Sequence, residues 1–379
     1  MENVNLLSAL LYIGITVVTL AFAYRVKSLR EDYCEAGTRR AYTNKIFLIG
    51  IFVLLFIVSA IRFDVGNDYE QYTKTAHEAF VGGYVVTEPG FNWLVRLVYT
   101  ILGGEYYEVV FAVFAFATLL LFLKAFYEQS EDFFMSFALF MMLGIYFQTF
   151  NTVRYYFALA LVLYGMRYVT GVNTKKDFLK FILLMVVAAF FHKSVLITIP
   201  VFWIASLPWK KWHIAVGIGL CIACYLLKDL VLQVALVLYP SYRNTSFLAG
   251  GDISKVMVAR CLAVLALYVW YRNRYKTAED KELRFYAQLN ILATAVSVFF
   301  TFLPVITRIV YYFSITQLLM IPMIAVRVSK EKERNIVKAL VYLACILYFV
   351  IFLWDAQRDG VKLIPYDTWI FNDERFIYK

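Results

Sequence analysis

Charged side chains are scarce in this chain of 379 residues, at 17%, whereas 62% of the residues are hydrophobic and the mean hydropathy is +0.68. Soluble domains are roughly one quarter charged and about half apolar, so this composition argues against a soluble globular protein. Aromatic residues are abundant instead, at 18%. Such a content suits a helix bundle in lipid, where tyrosine and tryptophan also anchor helices at the two interfaces.

Cysteine is rare as well, with five residues in the chain, and all but Cys34 lie in apolar runs. A scaffold of disulfides is therefore not expected. Cys221 and Cys224 form a C-x-x-C pair, but both lie within one apolar run and no second pair exists, which indicates packing. Phosphate-binding loops and nucleotide-sugar folds are also missing, and no strong metal-ligand spacing is present. Asp64 and Asp68, four positions apart, suit a cation, but we expect no metal and no cofactor.

Acidic residues are fewer than basic ones, 27 against 37, which gives a net charge of +10. In a soluble protein such an excess would suggest a nucleic-acid partner. Here the basic residues lie mostly in short connections between apolar runs, where membrane topology explains them. We therefore expect membrane lipids, and no nucleic acid, as partners of this chain.

Apolar runs long enough to cross a membrane recur along the whole chain. A helix needs about 20 residues to cross some 30 Å of hydrocarbon. The run 178–207 is too long for one span and is interrupted by His192-Lys193-Ser194, which predicts two short helices that meet at the outer surface. The sequence thus predicts an all-α, polytopic membrane helix bundle of about 12 transmembrane helices, with one transmembrane domain over residues 1–379. The other predicted spans are 5–24, 45–61, 106–126, 132–149, 152–169, 212–228, 254–271, 284–303, 306–326 and 336–354.

The distribution of lysine and arginine predicts the orientation of these helices. Connections expected in the cytoplasm hold 23 of the 37 basic residues, in agreement with the positive-inside rule. Both termini are then extracytoplasmic. The first run has no basic region before it and is interpreted as a retained helix, not a cleaved signal. The expected cytoplasmic connections are 25–45, 124–132, 167–180, 207–213, 271–284 and 327–338.

Two large segments fall on the outer side in this topology. The loop 62–105 contains an amphipathic stretch, 91–102, which we expect to form an interfacial helix. The second segment is the extracytoplasmic C-terminal tail 355–379, and a shorter connection, 240–253, carries a Gly-Gly turn. An amphipathic outer loop favours a fixed site that faces outward.

Ionisable residues inside or at the edge of membrane spans are costly unless they are paired, hydrated or bound to a ligand. Those of this chain gather at the outer edge, where the topology does not call for positive charge. Helix-end arginines that extend to water explain any single one of them. A bound multivalent anion explains the whole set, because arginine grips phosphate oxygens with two parallel hydrogen bonds. The candidate diphosphate ligands are Arg62, Arg154, Arg308, Arg260 and Lys193.

Polar residues stand beside several of these cations at helical spacings that place them on one face, although ordinary packing also explains such tyrosines. Nearby carboxylates and one histidine suit a general base. Asp64 and Asp68 also suit a solvated loop, Glu88 a helix N-cap, and His192 a structural role. The polar candidates are Tyr69, Asn151, Tyr155, Tyr311 and Tyr312, and the candidate bases are Asp68, Asp64, Glu88 and His192.

Short motifs follow one another in a fixed order along these segments. They are Arg62-x-x-x-Gly66-x-Asp68-Tyr69, Glu88-Pro89-Gly90-Phe91, Asn151-x-x-Arg154, Phe191-His192-Lys193-Ser194, Arg308-x-x-Tyr311-Tyr312-Phe313 and Pro365-Tyr366. Together with the hydropathy plan, these motifs resemble the EpsG family of Wzy-like exopolysaccharide, capsule and O-antigen polymerases from about residue 45 to the end. Tyr155 departs from the glutamine that the family pattern leads us to expect after the helix-entry arginine.

The resemblance implies a GT-C-like glycosyltransferase of the bacterial cytoplasmic membrane. Such an enzyme joins oligosaccharide repeat units carried on undecaprenyl diphosphate at the outer face and releases undecaprenyl diphosphate. The arginines would stabilise the departing diphosphate, and one candidate base would take the proton of the acceptor hydroxyl. A chain-length regulator and a flippase are further partners that the resemblance suggests. A ligase of lipid-linked oligosaccharide and, in another class, a flippase or exporter of it remain alternatives.

Overall fold

The computed structural model describes most of the chain, and every regular element within the described residues is a helix. The prediction of an all-α chain is therefore confirmed. The described residues are 2–32, 37–83, 85, 87–170, 175–238, 248, 251, 253–276, 280–358, 360–371 and 376. Cys34 and most of the 240–253 connection lie outside them.

The helices are distributed over the whole described chain. The N-terminal ones are α1 Glu2–Ala23, α2 Arg39–Ala60, α3 Tyr69–Val81, α4 Pro89–Leu102, α5 Tyr107–Gln129, α6 Phe133–Met142, α7 Ile145–Gln148, α8 Val153–Gly165 and α9 Arg167–Thr170. The C-terminal ones are α10 Lys175–Ala189, a 3-10 helix Lys193–Ile197, α11 Thr198–Ser206, α12 Lys211–Leu226, α13 Lys228–Leu238, α14 Lys255–Tyr275, α15 Lys281–Phe299, α16 Thr307–Ser314, α17 Gln317–Arg327 and α18 Glu331–Asp355.

Six helical segments of the described chain are long and apolar enough to cross a membrane. Each coincides with a predicted span, which confirms that several apolar helices of membrane-crossing length are present. Helices α12 and α13 form a seventh if they are counted together, with a bend of 85° between them. The six segments are Asn5–Ala23, Arg39–Ala60, Tyr107–Gln129, Lys255–Tyr275, Thr307–Arg327 and Glu331–Asp355.

Other predicted spans are divided. The run 132–149 forms α6 and α7, because Gly144 takes a left-handed conformation (φ 71°) and ends α6 after ten residues. The run 152–169 likewise forms α8 and α9. Broken helices are tolerated at membrane depth where neighbouring protein satisfies the freed backbone groups, and most of the residues from 133 to 148 are buried. Each of these runs thus holds two short helices instead of the one predicted.

The break predicted in the run 178–207 is confirmed. Helix α10 ends at Ala189 and the 3-10 helix begins at Lys193, so that His192 lies between two helical segments. The backbone turns here through bonds from Phe191 N to Ala188 O, at 3.0 Å, and from His192 N to the same oxygen, at 2.9 Å. The residues around His192 are therefore presented from the end of a helix and not from its middle.

The helices form two compact units. The first comprises Met1–Tyr164, Val187–Lys193 and Ala325–Lys379. In it α2 packs against α1 and α5, and α6 packs against α1, α5 and α18. Where α3, α4 and α5 meet, aromatic side chains form a buried cluster that includes Tyr69, Tyr72, Phe91, Phe111 and Phe114.

Helix α4 places a site residue at its first turn. Pro89 at this end costs no hydrogen bond, because the N–H that it lacks would have no partner inside the helix. Gly103 ends the helix in a left-handed conformation (φ 70°). One face is buried and the other exposes Trp93 and Ile101, so this is the amphipathic helix predicted for 91–102. Glu88 occupies its N-cap position.

The C-terminal tail packs against the loop that follows α2. Phe63 N donates to Asp367 O at 2.9 Å, and Trp369 N donates to Ile61 O at 3.1 Å. The hydroxyl of Tyr366 donates to Val58 O, at 2.7 Å, on the last turn of α2. The carbonyls of Val58 and Ile61 lie at the end of α2 and would otherwise be unpaired there. Together the three bonds fix the path of the loop.

The second unit comprises Gly165–Val186 and Ser194–Ile324. Helix α15 is central to it and packs against α9, α11, α12, α14 and α16. Its buried amide, Asn290, donates to Cys261 O at 2.8 Å and accepts from Gln317 Nε2 at 2.7 Å. Buried polar groups of this kind are hydrogen-bonded in folded proteins and tie apolar helices together in lipid.

Candidate functional site

Glu88 and Arg154 form an ion pair in the first unit. Arg154 is the second residue of α8, and its Nη1 donates to Oε2 of Glu88. The side chains are only 16% and 14% exposed. Glu88 has the extended backbone of an N-cap, yet its carboxylate makes no capping hydrogen bond to α4. The carboxylate thus pairs with Arg154 and does not cap α4.

Arg154 is also enclosed by aromatic side chains. Its Nε donates to the hydroxyl of Tyr72 at 3.4 Å. The guanidinium carbon lies 5.3 Å from the centre of the Tyr72 ring and 5.2 Å from that of Phe91. Contacts between arginine and ring faces are favourable, more so when water is excluded. The two rings therefore fix the plane of the guanidinium and leave one of its edges turned towards Glu88.

The other carboxylate oxygen of Glu88 contacts the break between α10 and the 3-10 helix. Its Oε1 accepts from Lys193 N at 3.2 Å and lies 3.7 Å from Nδ1 of His192. The His192 side chain is 10% exposed, and the ring of Tyr155 meets it edge to face with centroids 5.4 Å apart. One carboxylate thus connects α8, the start of α4 and the helix break.

Backbone contact brings the same segments together. Gly90 N donates to Phe190 O at 2.8 Å. A Cβ on Gly90 would stand 2.7 Å from that oxygen, closer than any side chain allows. Glycine is therefore required at the second residue of α4, and the close approach places Glu88 beside His192.

Arg62 lies beneath the loop that follows α2, with 1% of its surface exposed. Its Nη1 donates to the Ser59 carbonyl and its Nη2 to Phe150 O, at 3.4 Å. The rings of Phe111 and Phe150 lie 5.0 and 5.2 Å from its guanidinium carbon. Burial lowers the pKa of Arg62 from its ordinary value, although nearby tyrosines, Tyr69 first among them, oppose this effect. The predicted diphosphate ligand is thus enclosed by protein in this structure.

The rest of this loop is held by Asn151 and Lys362. Asn67 N donates to Oδ1 of Asn151 at 2.6 Å, and Nζ of Lys362 lies 2.7 Å from Oδ2 of Asp64. Gly66 has φ 104° and a Cβ there would stand 2.6 Å from Phe150 O, so only glycine fits. Two predicted site residues, Asn151 and Asp64, therefore hold the loop in place.

Asp68 and Tyr69 begin α3. Asp68 is the N-cap residue, without a capping bond from its side chain. Tyr69 is 1% exposed and its hydroxyl donates to Arg62 O at 3.3 Å. Tyr69 thus belongs to the buried aromatic cluster, and Asp68 stands one helical turn before Tyr72, the partner of Arg154.

The second unit carries the remaining candidates. The guanidinium carbon of Arg260 lies 5.9 Å from the centre of the Tyr311 ring, and its Nη2 donates to Met257 Sδ at 3.0 Å. Tyr312 is fully buried, with its hydroxyl 3.2 Å from Oγ of Ser194. Arg308 is partly buried at the start of α16. Arg260 and Tyr311 thus come together within this unit, as do Ser194 and Tyr312.

Residues 45–368 match the EpsG family. The match covers most of the chain and includes every contact of the Glu88–Arg154 pair described above. This chain belongs to the EpsG family. No curated protein and no solved structure matches it. Membership of the EpsG family suggests a function of the membrane polysaccharide-polymerase type, and the apolar helices of the chain agree with a membrane protein.

The motifs that pointed to the EpsG family converge in part. The Glu-Pro-Gly-Phe motif, the helix-entry arginine and the Phe-His-Lys-Ser motif meet at Glu88, Arg154 and His192. Among the described residues no three histidine, cysteine or acidic side chains come together as a metal site would require. Tyr72 was not among the residues predicted from the sequence. The sequence nevertheless indicated it, because Tyr72 follows Tyr69 by three positions and lies on the same helix face.

Proposed function

We propose that this EpsG-family protein is a bacterial membrane glycosyltransferase that polymerises oligosaccharide repeat units carried on undecaprenyl diphosphate. The reaction takes place at the outer face of the cytoplasmic membrane and releases undecaprenyl diphosphate. The observation that carries the proposal is the Glu88–Arg154 pair, which brings a partly buried guanidinium to a histidine at a helix break. The family match supports the same reaction class.

In the proposed step the growing glycan leaves its lipid diphosphate and moves to a hydroxyl of the incoming unit. The sugar carbon gains a bond to the acceptor oxygen and loses its bond to the diphosphate oxygen. Negative charge therefore develops on the leaving diphosphate, where fixed cationic donors lower the barrier most. Arg154 supplies such donors. A guanidinium has five N–H groups, and the bonds to Glu88 and Tyr72 are made by Nη1 and Nε, so Nη2 can donate to the diphosphate.

The acceptor hydroxyl must lose a proton in this step. We assign its removal to His192, with Glu88 as the residue that orients it. A carboxylate 3.7 Å from Nδ1 favours the tautomer with its proton on Nδ1, which leaves Nε2 as the acceptor. The arrangement follows the general pattern of a base held by a third group. Asp64, by contrast, is engaged by Lys362.

Lys193 adds positive charge to the proposed substrate site. Its exposed side chain stands beside the break and is suited to contact phosphate oxygens. For Arg260, Arg308 and Tyr311, which lie in the second unit, contact with the lipid-linked substrate stays a prediction. Arg62 acts through the loop that it anchors.

The proposal includes a GT-C-like architecture with about twelve crossings. Six are the membrane-length helical segments, one of which consists of α16 and α17. The others are built from short helices that follow each other, such as α6 with α7 and α8 with α9. Both termini lie outside the cytoplasm, because the positive-inside rule then holds for each connection. A flippase and a chain-length regulator are proposed partners of the same process.

The test is made with the purified protein in detergent, incubated with undecaprenyl-diphosphate-linked repeat units from its own host and without added nucleotide or metal. We expect a ladder of glycans on a gel and release of undecaprenyl diphosphate in step with its growth. Transfer of a single repeat unit to a protein or another lipid would show that the protein is a ligase and not a polymerase. Movement of the intact lipid across the membrane of vesicles, with no new bond, would show that it is a flippase.

A further inference from the structure

A groove runs between α2 and α5 on the outside of the first unit. It has a volume of about 470 Å³, within the range of small-molecule sites, about 300 to 1,000 Å³. Exposed apolar side chains form much of its wall, with Ile49 52%, Phe116 49% and Leu120 47% exposed.

The length of the groove corresponds to one leaflet of a bilayer. Along α2 it extends from Ala41 to Phe52, and along α5 from Phe116 to Glu128, which at about 1.5 Å per residue is roughly 16 to 18 Å in each case. Half of a hydrocarbon core is about 15 Å thick. Phe52 and Phe116 meet edge to face, with ring centroids 5.1 Å apart, and close the groove at its deep end.

Charge is confined to the opposite end of the groove. Lys45 is exposed, and no ion pair among the described residues involves it. Lys124 lies over the ring of Tyr164, at 5.4 Å, and its Nζ is 4.0 Å from Glu128. Two lysines and one glutamate leave a net charge of one positive unit at this end. Tyr127 adds a hydroxyl, which accepts from Asn44 Nδ2 at 3.5 Å.

We propose that this groove binds one anionic phospholipid, with an acyl chain against Phe52 and Leu120 and a singly charged phosphate headgroup between Lys45 and Lys124. An amphipathic ligand of leaflet length fits this apolar groove, because the lysines among its lining residues, Lys45 and Lys124, lie at the end away from Phe52 and Phe116. The single net charge matches one phosphodiester and is too small for a diphosphate. The site is distinct from the Glu88–Arg154 pair and does not depend on the polymerase activity.

The test uses a phosphatidylglycerol that carries a photoreactive diazirine near the end of one acyl chain, and a phosphatidylcholine with the same chain. The full-length protein is reconstituted with each lipid, irradiated and digested, and labelled peptides are identified by mass spectrometry. We expect phosphatidylglycerol to label peptides of α2 and α5 about fivefold more than phosphatidylcholine does. The double variant K45Q/K124Q lowers this labelling to the level of phosphatidylcholine.

A matched control removes two other exposed lysines, Lys281 and Lys332, as K281Q/K332Q, and keeps the labelling of wild type. Ile49→Trp fills the groove without changing its charge and also lowers the labelling. K45Q/K124Q and Ile49→Trp both alter exposed residues, and an unchanged elution volume in gel filtration verifies that these variants fold. Equal labelling by the two lipids, or labelling by phosphatidylglycerol that survives K45Q/K124Q, would overturn the proposal and leave only the general lipid shell.

Discussion

Gly90 and Phe190 are in direct backbone contact, with the amide of Gly90 donating to the Phe190 carbonyl at 2.8 Å. The contact joins the start of α4 to the end of α10, two segments of the first unit that are a hundred positions apart in sequence. It is close enough that a Cβ on Gly90 would stand 2.7 Å from the carbonyl oxygen. The distance between Glu88 and His192 depends on this contact.

Gly90→Ala is therefore expected to push the two segments apart. We expect the free energy of unfolding to fall by about 1 to 3 kcal/mol, which is typical of overpacking. Polymerase activity should fall as well, because Glu88 moves away from His192. Thermal unfolding in detergent and the glycan ladder measure the two effects. Gly14→Ala is the control, because nothing lies within 4 Å of its Cβ position. An unchanged melting temperature and ladder in Gly90→Ala would contradict the role given to the contact.

Arg154→Lys tests the diphosphate site. A lysine ammonium is a point charge and cannot hold Glu88, Tyr72 and a phosphate oxygen in one plane. We expect turnover to fall about 100-fold, as when one fixed donor is removed from a site of developing charge, while the protein elutes as a folded species. Arg96→Lys, on the exposed side of α4, should leave turnover unchanged. Wild-type turnover in Arg154→Lys would exclude direct contact with the diphosphate.

His192→Ala tests the proposed base. Removing a positioned base lowers rates about 10² to 10⁴-fold, and we expect turnover to fall within this range. His77 provides the matched control, because its Nδ1 also faces a carboxylate, at 2.9 Å from Glu105, yet it lies away from the break. We expect His77→Ala to polymerise as wild type does. Similar losses in both variants would show that histidine removal damages the fold.

Arg62→Lys separates an anchoring role from contact with substrate. The guanidinium bonds to the carbonyls of Ser59 and Phe150, and a lysine cannot reach both. We expect about 1 to 3 kcal/mol of destabilisation with little change in the KM for lipid-linked substrate. Arg25→Lys, at an exposed position, should change neither quantity. A raised KM at unchanged stability would assign Arg62 to the substrate instead.

A cysteine at Asn67 tests the orientation in the membrane. Asn67 is exposed in the loop after α2, which the proposed topology places outside. We expect Asn67→Cys to react with an impermeant thiol reagent in intact cells. The natural Cys34, in the connection before α2, should react only after permeabilisation. The reverse pattern would invert the topology.

Much of the helical plan could be predicted from the sequence. Long apolar runs predicted the six membrane-length helices, and the interruption at His192 predicted the break before the 3-10 helix. The division of 132–149 could not be predicted, because it depends on burial of the turn at Gly144. A glycine in an apolar run gives no indication of whether neighbouring helices will cover it.

The candidate site was predicted as a set of residue types and not as a set of contacts. Glu88, Arg154 and His192 were each identified, yet their contact depends on how the loop between α3 and α4 returns to α8. The amide of Asn151 is chemically suited to bind a sugar, but in the structure its oxygen accepts from the backbone N–H of Asn67. Tyr155 follows Arg154 in sequence, yet its ring contacts His192.

The packing of the tail on the loop after α2 has a consequence for biosynthesis. Lys362 and Asp64 are separated by 298 positions, so at about 5 to 20 residues per second the ribosome needs roughly 15 to 60 s between making one and the other. During that interval the loop after α2 lacks its partners in the tail, which are the side chain of Lys362 and the backbone of Asp367 and Trp369. These contacts can form only after α18 has been synthesised.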